Sequence, residues 1–271
     1  MKIQTVSSRT LGFSLISILI MGIGCVCRQL QQHARQLIYG LVLLVGTSVV
    51  SAGSFQVSPV RATLSSGKPI SAMTVRNTGT APAVIQLEVM TWSQQQGKDI
   101  YTPTQEILAT PPIFTIPVGG SQILRIGLRR TPDAQRELTY RLFLQEVPPP
   151  PKPDFKGLQV ALRIGVPVFV TPTTVPQPAL AWKVYRTRDG KIEVNLTNNG
   201  GLHVQVSNIR LARVDGGELG KQQLSGYVLP NQSNSWQVKD VSVPSSVSTL
   251  HLFAKTDGGE VDAGVLTVES K

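Results

Sequence analysis

The sequence predicts an all-β chain of two β-sandwich domains behind an export leader, and three observations lead there. Helical periodicity is nearly absent from Phe55 onward, while short β-rich runs recur between Gly, Pro, Asn and Asp at the spacing a sandwich needs. The run Leu158 to Val170 holds an aliphatic residue at every even position, the period of 2 that gives a strand one apolar face. Both cysteines, Cys25 and Cys27, lie near the N-terminus, so whatever follows is held by a hydrophobic core and not by disulfides.

Two apolar runs, Leu11 to Val26 and Leu37 to Val50, flank the basic segment Arg28 to Gln36. The second has the length of a signal-peptide core and ends in Val50-Ser51-Ala52, a small-residue cleavage pattern, so residues 1–52 are expected to be a leader. The first run fits either a two-segment anchor or a start at Met21 with residues 1–20 as an extension; the second alternative explains the leader with one signal peptide. All four leader charges, Lys2, Arg9, Arg28 and Arg35, are basic. Removing them from the 26 Lys and Arg leaves 22 against 16 Asp and Glu, an excess of +6 spread without a basic run. That pattern serves solubility; neither a nucleic-acid partner nor stable membrane association once the leader is cleaved is expected from it.

In the first domain, residues 53–173, strands are expected at Phe55 to Leu64, Ile70 to Asn77, Pro82 to Trp92, Ser121 to Arg129, Glu137 to Val147 and Gly157 to Val170. Turn signals separate them at Ser65-Ser66-Gly67, Asn77-Thr78-Gly79 and Val118-Gly119-Gly120. Pro148 to Pro153 is a polyproline spacer leading into the long strand. Pro167 places that strand at a sheet edge, because a proline has no donor for a second neighbour. A long apolar edge is an aggregation hazard, and a protein that keeps one is expected to use it.

The proline-punctuated stretch Thr171 to Pro178 is the expected domain boundary, and residues 174–271 form the second domain. Its strands are Ala179 to Tyr185, Lys191 to Thr197, Leu202 to Arg213, Lys221 to Val228, Ser233 to Val238, Ser248 to Ala254 and Glu260 to Glu269. Asp189-Gly190 joins the first two as a hairpin.

No catalytic constellation stands out, and neither an enzyme nor a cofactor is expected. His203 and His251 each stand alone in an apolar strand pattern, where a structural or exposed imidazole is the expectation, since metal and triad chemistry need convergent partners. Ser65-Ser66-Gly67-Lys68 matches S-x-x-K by letter but sits in a turn without companion motifs.

Three segments resemble the periplasmic chaperones of the chaperone-usher pilus pathway, the PapD-like superfamily. Ser58-Pro59-Val60-Arg61-Ala62-Thr63-Leu64 is similar to the family's opening strand. Arg136-Glu137 with Tyr140-Arg141-Leu142-Phe143-Leu144-Gln145-Glu146-Val147-Pro148-Pro149 resembles its strand F signature. Leu158 to Val170 stands where the family has strand G, and Tyr227-Val228-Leu229-Pro230 and Ala254-Lys255-Thr256-Asp257-Gly258-Gly259 extend the likeness. The resemblance implies two immunoglobulin-like domains arranged as an L, working in the periplasm. It implies a chaperone that binds pilus or fimbrial subunits one to one, lends its strand G to complete their unfinished sandwiches, and delivers them to an outer-membrane usher without ATP.

Carried onto this chain, the donated residues are Leu158, Val160, Leu162, Ile164 and Val166. Arg61 matches the family's cleft arginine, which holds the subunit's C-terminal carboxylate. The lysine expected beside it is replaced by Pro167, leaving Arg163 or Arg141 as second anchor. Glu137 and Asp257 match the acidic members of the family's interdomain contact, but Thr171 replaces the arginine between them; two carboxylates without a cation repel, so another base or a different contact is expected. The short, cysteine-free segment Pro148 to Gly157 departs from the branch with a long, disulfide-bearing loop there, and Tyr140 to Pro149 with the strand Ala161 to Val170 look more like the branch serving archaic, spore-coat-U-like pili. The alternative class is a structural or adhesive β-sandwich protein of a surface assembly.

Overall fold

The computed structural model describes residues 55–150, 158–174, 176, 179–239, 241 and 243–271. The leader with its two cysteines, the end of the proline spacer and part of the linker lie outside the described residues. Ala52–Lys271 form one unit.

Ten strands build the first sandwich: β1 (Phe55–Ser58), β2 (Ala62–Leu64), β3 (Ile70–Asn77), β4 (Ala83–Gln95), β5 (Lys98–Pro103), β6 (Ile107–Thr110), β7 (Ile113–Ile116), β8 (Ser121–Leu128), β9 (Leu138–Val147) and β10 (Arg163–Val170). One sheet runs β1-β3-β8-β6; the other runs β2-β10-β9-β4-β5, with β7 also on β4. The expected strand Phe55 to Leu64 is thus two strands serving opposite sheets, β1 on β3 and β2 parallel to β10.

Alternation places one face of each strand inside. Met73, Val75, Leu124 and Ile126 from one sheet meet Leu64, Ile85, Tyr140, Leu142, Leu144, Val166, Val168 and Val170 from the other. The Tyr140 hydroxyl, carried into this core, donates to Glu106 Oε2 at 2.6 Å, and burial together with that carboxylate pushes its pKa up. Strands β5, β6 and β7 were not expected from the sequence. Every residue of β5 is exposed, so it has no apolar face to betray it, and β6 and β7 are four residues long, below the reach of periodicity.

The second sandwich has seven strands: β11 (Leu180–Arg186), β12 (Ile192–Asn198), β13 (Val204–Ala212), β14 (Glu218–Val228), β15 (Gln232–Val238), β16 (Thr249–Thr256) and β17 (Gly259–Ser270). All seven predicted runs are present, in the order β14-β13-β16-β17-β11-β12-β15. The long β17 pairs antiparallel with β16 and, at Val268–Ser270, parallel with β11, so it joins the two layers over a core that includes Val194, Leu196, Val206, Ile209, Leu211 and Leu252.

Both sandwiches use the same buried asparagine turn. Asn77 Nδ2 donates to the carbonyls of Ala81 and Ile116 while its Oδ1 accepts from Gly79 N; Asn198 Nδ2 donates to Leu202 and Val228 while its Oδ1 accepts from Gly200 N. Each side chain satisfies loop backbone that the ladder cannot reach.

Valines 166 and 160 belong to one alternating run of the sequence, yet only Val166 is in the core. Val166→Ala should lower the urea-unfolding free energy by roughly 2 kcal/mol, from two methyl groups at ~0.8 kcal/mol each plus the cavity left behind. Val160→Ala should change it by less than about 0.5 kcal/mol.

Candidate functional site

Strand β10 is paired with β9 along its whole length, Arg163↔Gln145 through Val170↔Leu138, but β2 covers its other edge only at Val168–Val170. Leu162 O accepts from Glu146 N at 2.8 Å on the β9 side, and Thr171 N donates to Leu64 O at 2.9 Å on the β2 side. By strand alternation, Arg163, Gly165 and Pro167 direct their backbone groups to the uncovered edge. Pro167 sits where β2 coverage begins, and the donor it lacks is one that would have faced outward.

Regular pairing starts at Arg163, five residues later than Leu158. Carrying the register on puts Val160 opposite Pro148, and the run Pro148-Pro149-Pro150 has no N–H to continue the ladder. Leu158 is 83 % exposed and Val160 47 % exposed, Leu162 is half-buried, and Ile164 packs on the rim of the core. Val166, expected among the donated residues, is a correction: at 2 % exposure it belongs to this sandwich's own core, because both β9 and the opposite sheet close over it.

The outward face of the same sheet is cationic and aromatic. Arg141 stands directly across from Pro167, its Cζ 4.5 Å from the Trp92 ring centroid, and its Nε is buried without a hydrogen-bond partner. Arg163 reaches the other way, pairing with Glu88 at 2.9 Å and lying 4.0 Å over Phe143. A Cβ on Gly165 would come within 3.1 Å of the Phe143 ring and 3.2 Å of Arg141 Nε, so the glycine lets both side chains lie flat across β10. Of the two candidate second anchors, Arg163 is already in an ion pair and Arg141 Nε has no partner.

Where the sandwiches meet, Trp92, Phe169 and Leu229 form a small core with Tyr227 against it. Gln94, 5 % exposed, ties the two together: its Nε2 donates to Tyr227 O at 2.9 Å and its Oε1 accepts from Leu229 N at 3.1 Å. Glu137 N donates to Gly201 O at 2.8 Å, a contact so close that a Cβ on Gly201 would lie 2.3 Å from Gln135 O.

The cation missing between Glu137 and Asp257 is His203. Its Nδ1 is 2.6 Å from Glu137 Oε2, which also accepts from His203 N at 3.0 Å, and its Nε2 is 3.5 Å from Asp257 Oδ2. Nε2 has no aligned hydrogen-bond partner, so the second contact becomes an ion pair when the imidazole is protonated. Phe169 stacks on the imidazole at 3.6 Å and 8°. Asp257 Oδ1 accepts from Gln205 N, and Oδ2 also lies 3.6 Å from Arg61 Nη1. Thr171, in the arginine's place, gives its N and Oγ1 to Leu64 O.

His203 was expected to be a lone imidazole, and a structural one it is, but with two carboxylates. The signal that points to it is the unbalanced charge of Glu137 and Asp257, since a strand pattern cannot reveal partners 66 and 54 residues away. His251, the other histidine among the described residues, stacks on Phe253 and meets Asp262 at 2.6 Å on the surface. Ser65 and Lys68 close the expected turn.

Burial disfavours the imidazolium of His203, but contact with Asp257 and Glu137 outweighs it and raises the pKa above the ordinary 6.5. Burial likewise opposes ionisation of Asp257, which His203 and the Gln205 amide offset, leaving its pKa lowered. A raised folded-state value means that stabilisation is fully present below the unfolded value and is lost as pH rises through the folded one. The urea midpoint should therefore fall between pH 6 and 8 more steeply in the native chain than in His203→Gln, which retains a donor but cannot charge.

Comparison with known proteins matches residues 54–176 to the family described as pili and flagellar-assembly chaperone, PapD N-terminal domain. A curated relative, an uncharacterized fimbrial chaperone, YhcA, of Escherichia coli (strain K12), is 22 % identical over 165 residues, 60 % of this chain and 69 % of its own. Among solved structures, the CsuC–CsuE chaperone–tip adhesion subunit pre-assembly complex from archaic chaperone-usher Csu pili of Acinetobacter baumannii aligns with TM-score 0.58 and 22 % identity, covering 80 % of this chain and 99 % of that one. The Salmonella enterica SafA pilin in complex with the SafB chaperone aligns with TM-score 0.55 and 17 % identity, covering 81 % and 99 %.

Proposed function

We propose, from the premise that residues 54–176 belong to the PapD N-terminal domain family of pili and flagellar-assembly chaperones, that this chain is a periplasmic chaperone that caps pilus subunits with its own strand and hands them to an outer-membrane usher. The observation that carries the reading is the half-open β10: an aliphatic face continues past the end of the sandwich, beside an uncovered backbone edge. A subunit lacking one strand would pair with the edge at Arg163–Pro167 and take side chains from Leu158, Val160, Leu162 and Ile164, while Val166 stays at home. Burying four aliphatic side chains at ~1.5 to 3 kcal/mol each is a gross term on the order of 10 kcal/mol, from which association and ordering costs are subtracted.

Arg61, half exposed at the foot of β2, supports the reading of a cleft that receives a carboxylate. For the second anchor we assign Arg141 over Arg163. It lies across the ladder from the proline that replaces the expected lysine, and, unlike Arg163, it is in no ion pair among the described residues that an incoming carboxylate would have to break.

Co-expression with a candidate subunit tests the function: a soluble one-to-one complex is expected where the subunit alone aggregates. Val160→Asp with Leu162→Asp should leave the chaperone folded and abolish that protection. A folded double variant that still protects subunits would overturn the donated-strand assignment. Arg141→Ala should weaken subunit binding roughly tenfold or more, as expected on losing one charge-assisted pair, whereas Arg163→Ala should change it less than threefold.

A further inference from the structure

One carboxylate oxygen serves two cations at the joint. Asp257 Oδ2 lies 3.6 Å from Arg61 Nη1 and 3.5 Å from His203 Nε2, and Asp257 cannot swing aside, because its Oδ1 accepts from Gln205 N at 2.9 Å while its own N donates to Gln205 O at 3.0 Å. Arg61, Glu137, His203 and Asp257 line one cleft of about 520 Å³ together with Leu202 and Pro176. We infer that His203 is a positioning residue for the anion site at Arg61, setting how strongly the fixed carboxylate of Asp257 competes with an incoming carboxylate for the guanidinium.

The charge count carries the argument. With His203 neutral, Arg61, Asp257 and Glu137 sum to −1, and an anion approaching Arg61 meets a carboxylate already there. With His203 charged the same four groups sum to zero, and Asp257 is shared with a second cation. Beyond these groups the imidazole faces Tyr227, whose ring centroid is 5.6 Å away and whose pKa is raised by burial against the opposing charges of Arg61 and Arg141; Phe169 covers the ring from β10. A carboxylate should therefore bind more weakly as pH rises through the His203 titration, roughly fivefold between the two states for a unit charge a few ångströms away in a partly buried site. By reciprocity, binding the carboxylate should raise the His203 titration midpoint by the matching amount.

The inference rests on Arg61 as the carboxylate anchor, and the test separates the two. Sodium acetate is titrated at constant ionic strength into the chain purified from the periplasm, and the Arg61 Nε–H resonance, identified by its loss in Arg61→Lys, is followed at pH 6 and pH 8 with the His203 ring signals. The expected result is half-saturation at roughly fivefold lower acetate at pH 6, an upward-shifted His203 midpoint in acetate, a flat profile in His203→Gln, and tighter binding at pH 8 in Asp257→Asn than in the native chain. Acetate binding at Arg61 that is equal at both pH values in the native chain, or a pH dependence that survives His203→Gln, overturns the role of His203 and leaves the anchor standing. No response at Arg61 at either pH overturns the anchor, and this inference with it.

Discussion

Alternation along a single strand is the constraint on which the rest of this structure depends. Val166, Val168 and Val170 hold one end of β10 in the core of the first sandwich, Ile164 continues the same face at the rim, and the sequence carries the alternation on through Leu162, Val160 and Leu158, where regular pairing has ended. The anchored half fixes the direction and register of the free half. An isolated aliphatic segment of that length would collapse or pair at random; here it is aimed. The covering of β2 at only three positions is as important as the anchoring, because a longer β2 would occupy the backbone edge.

The joint between the sandwiches is built differently, from polar groups with few alternatives. Gln94 spends both ends of its amide on the second sandwich, and Glu137 accepts from the backbone and ring of one histidine. Such contacts are directional, so they specify one arrangement where the small Trp92–Phe169–Leu229 core alone would tolerate sliding. Phe169 belongs to both systems: it sits on β10 one residue from Val168 and stacks on His203, so the strand that faces outward is mechanically continuous with the joint.

Much of this was legible from the residues. The seven strands of the second sandwich, the turn at Asn77, the edge position of Pro167 and the imbalance at Glu137 and Asp257 all follow from periodicity, turn chemistry and charge. What was not legible had physical reasons. An all-exposed strand such as β5 has no pattern. The point at which one alternating face passes from core to free depends on what the other sheet covers, which placed Val166 on the wrong side of the division. The pairing of His203 with Glu137 depends on how two domains meet, and spacing within one strand carries no information about that. Neither did spacing distinguish Arg141 from Arg163; their difference is that one found a carboxylate, Glu88, on the neighbouring strand and the other lay over an indole.

The run of prolines after β9 has a further consequence. Since the ladder between β9 and β10 cannot continue past Pro148, the position of that residue works as a gauge: it sets how many residues of the outgoing strand are left without a partner at either edge. Moving the proline two residues along β9 in either direction would lengthen or shorten the free segment by one side-chain repeat without touching a residue of the free segment itself. The reach of the strand is thus encoded in its neighbour and can change while the aliphatic sequence and the core stay as they are.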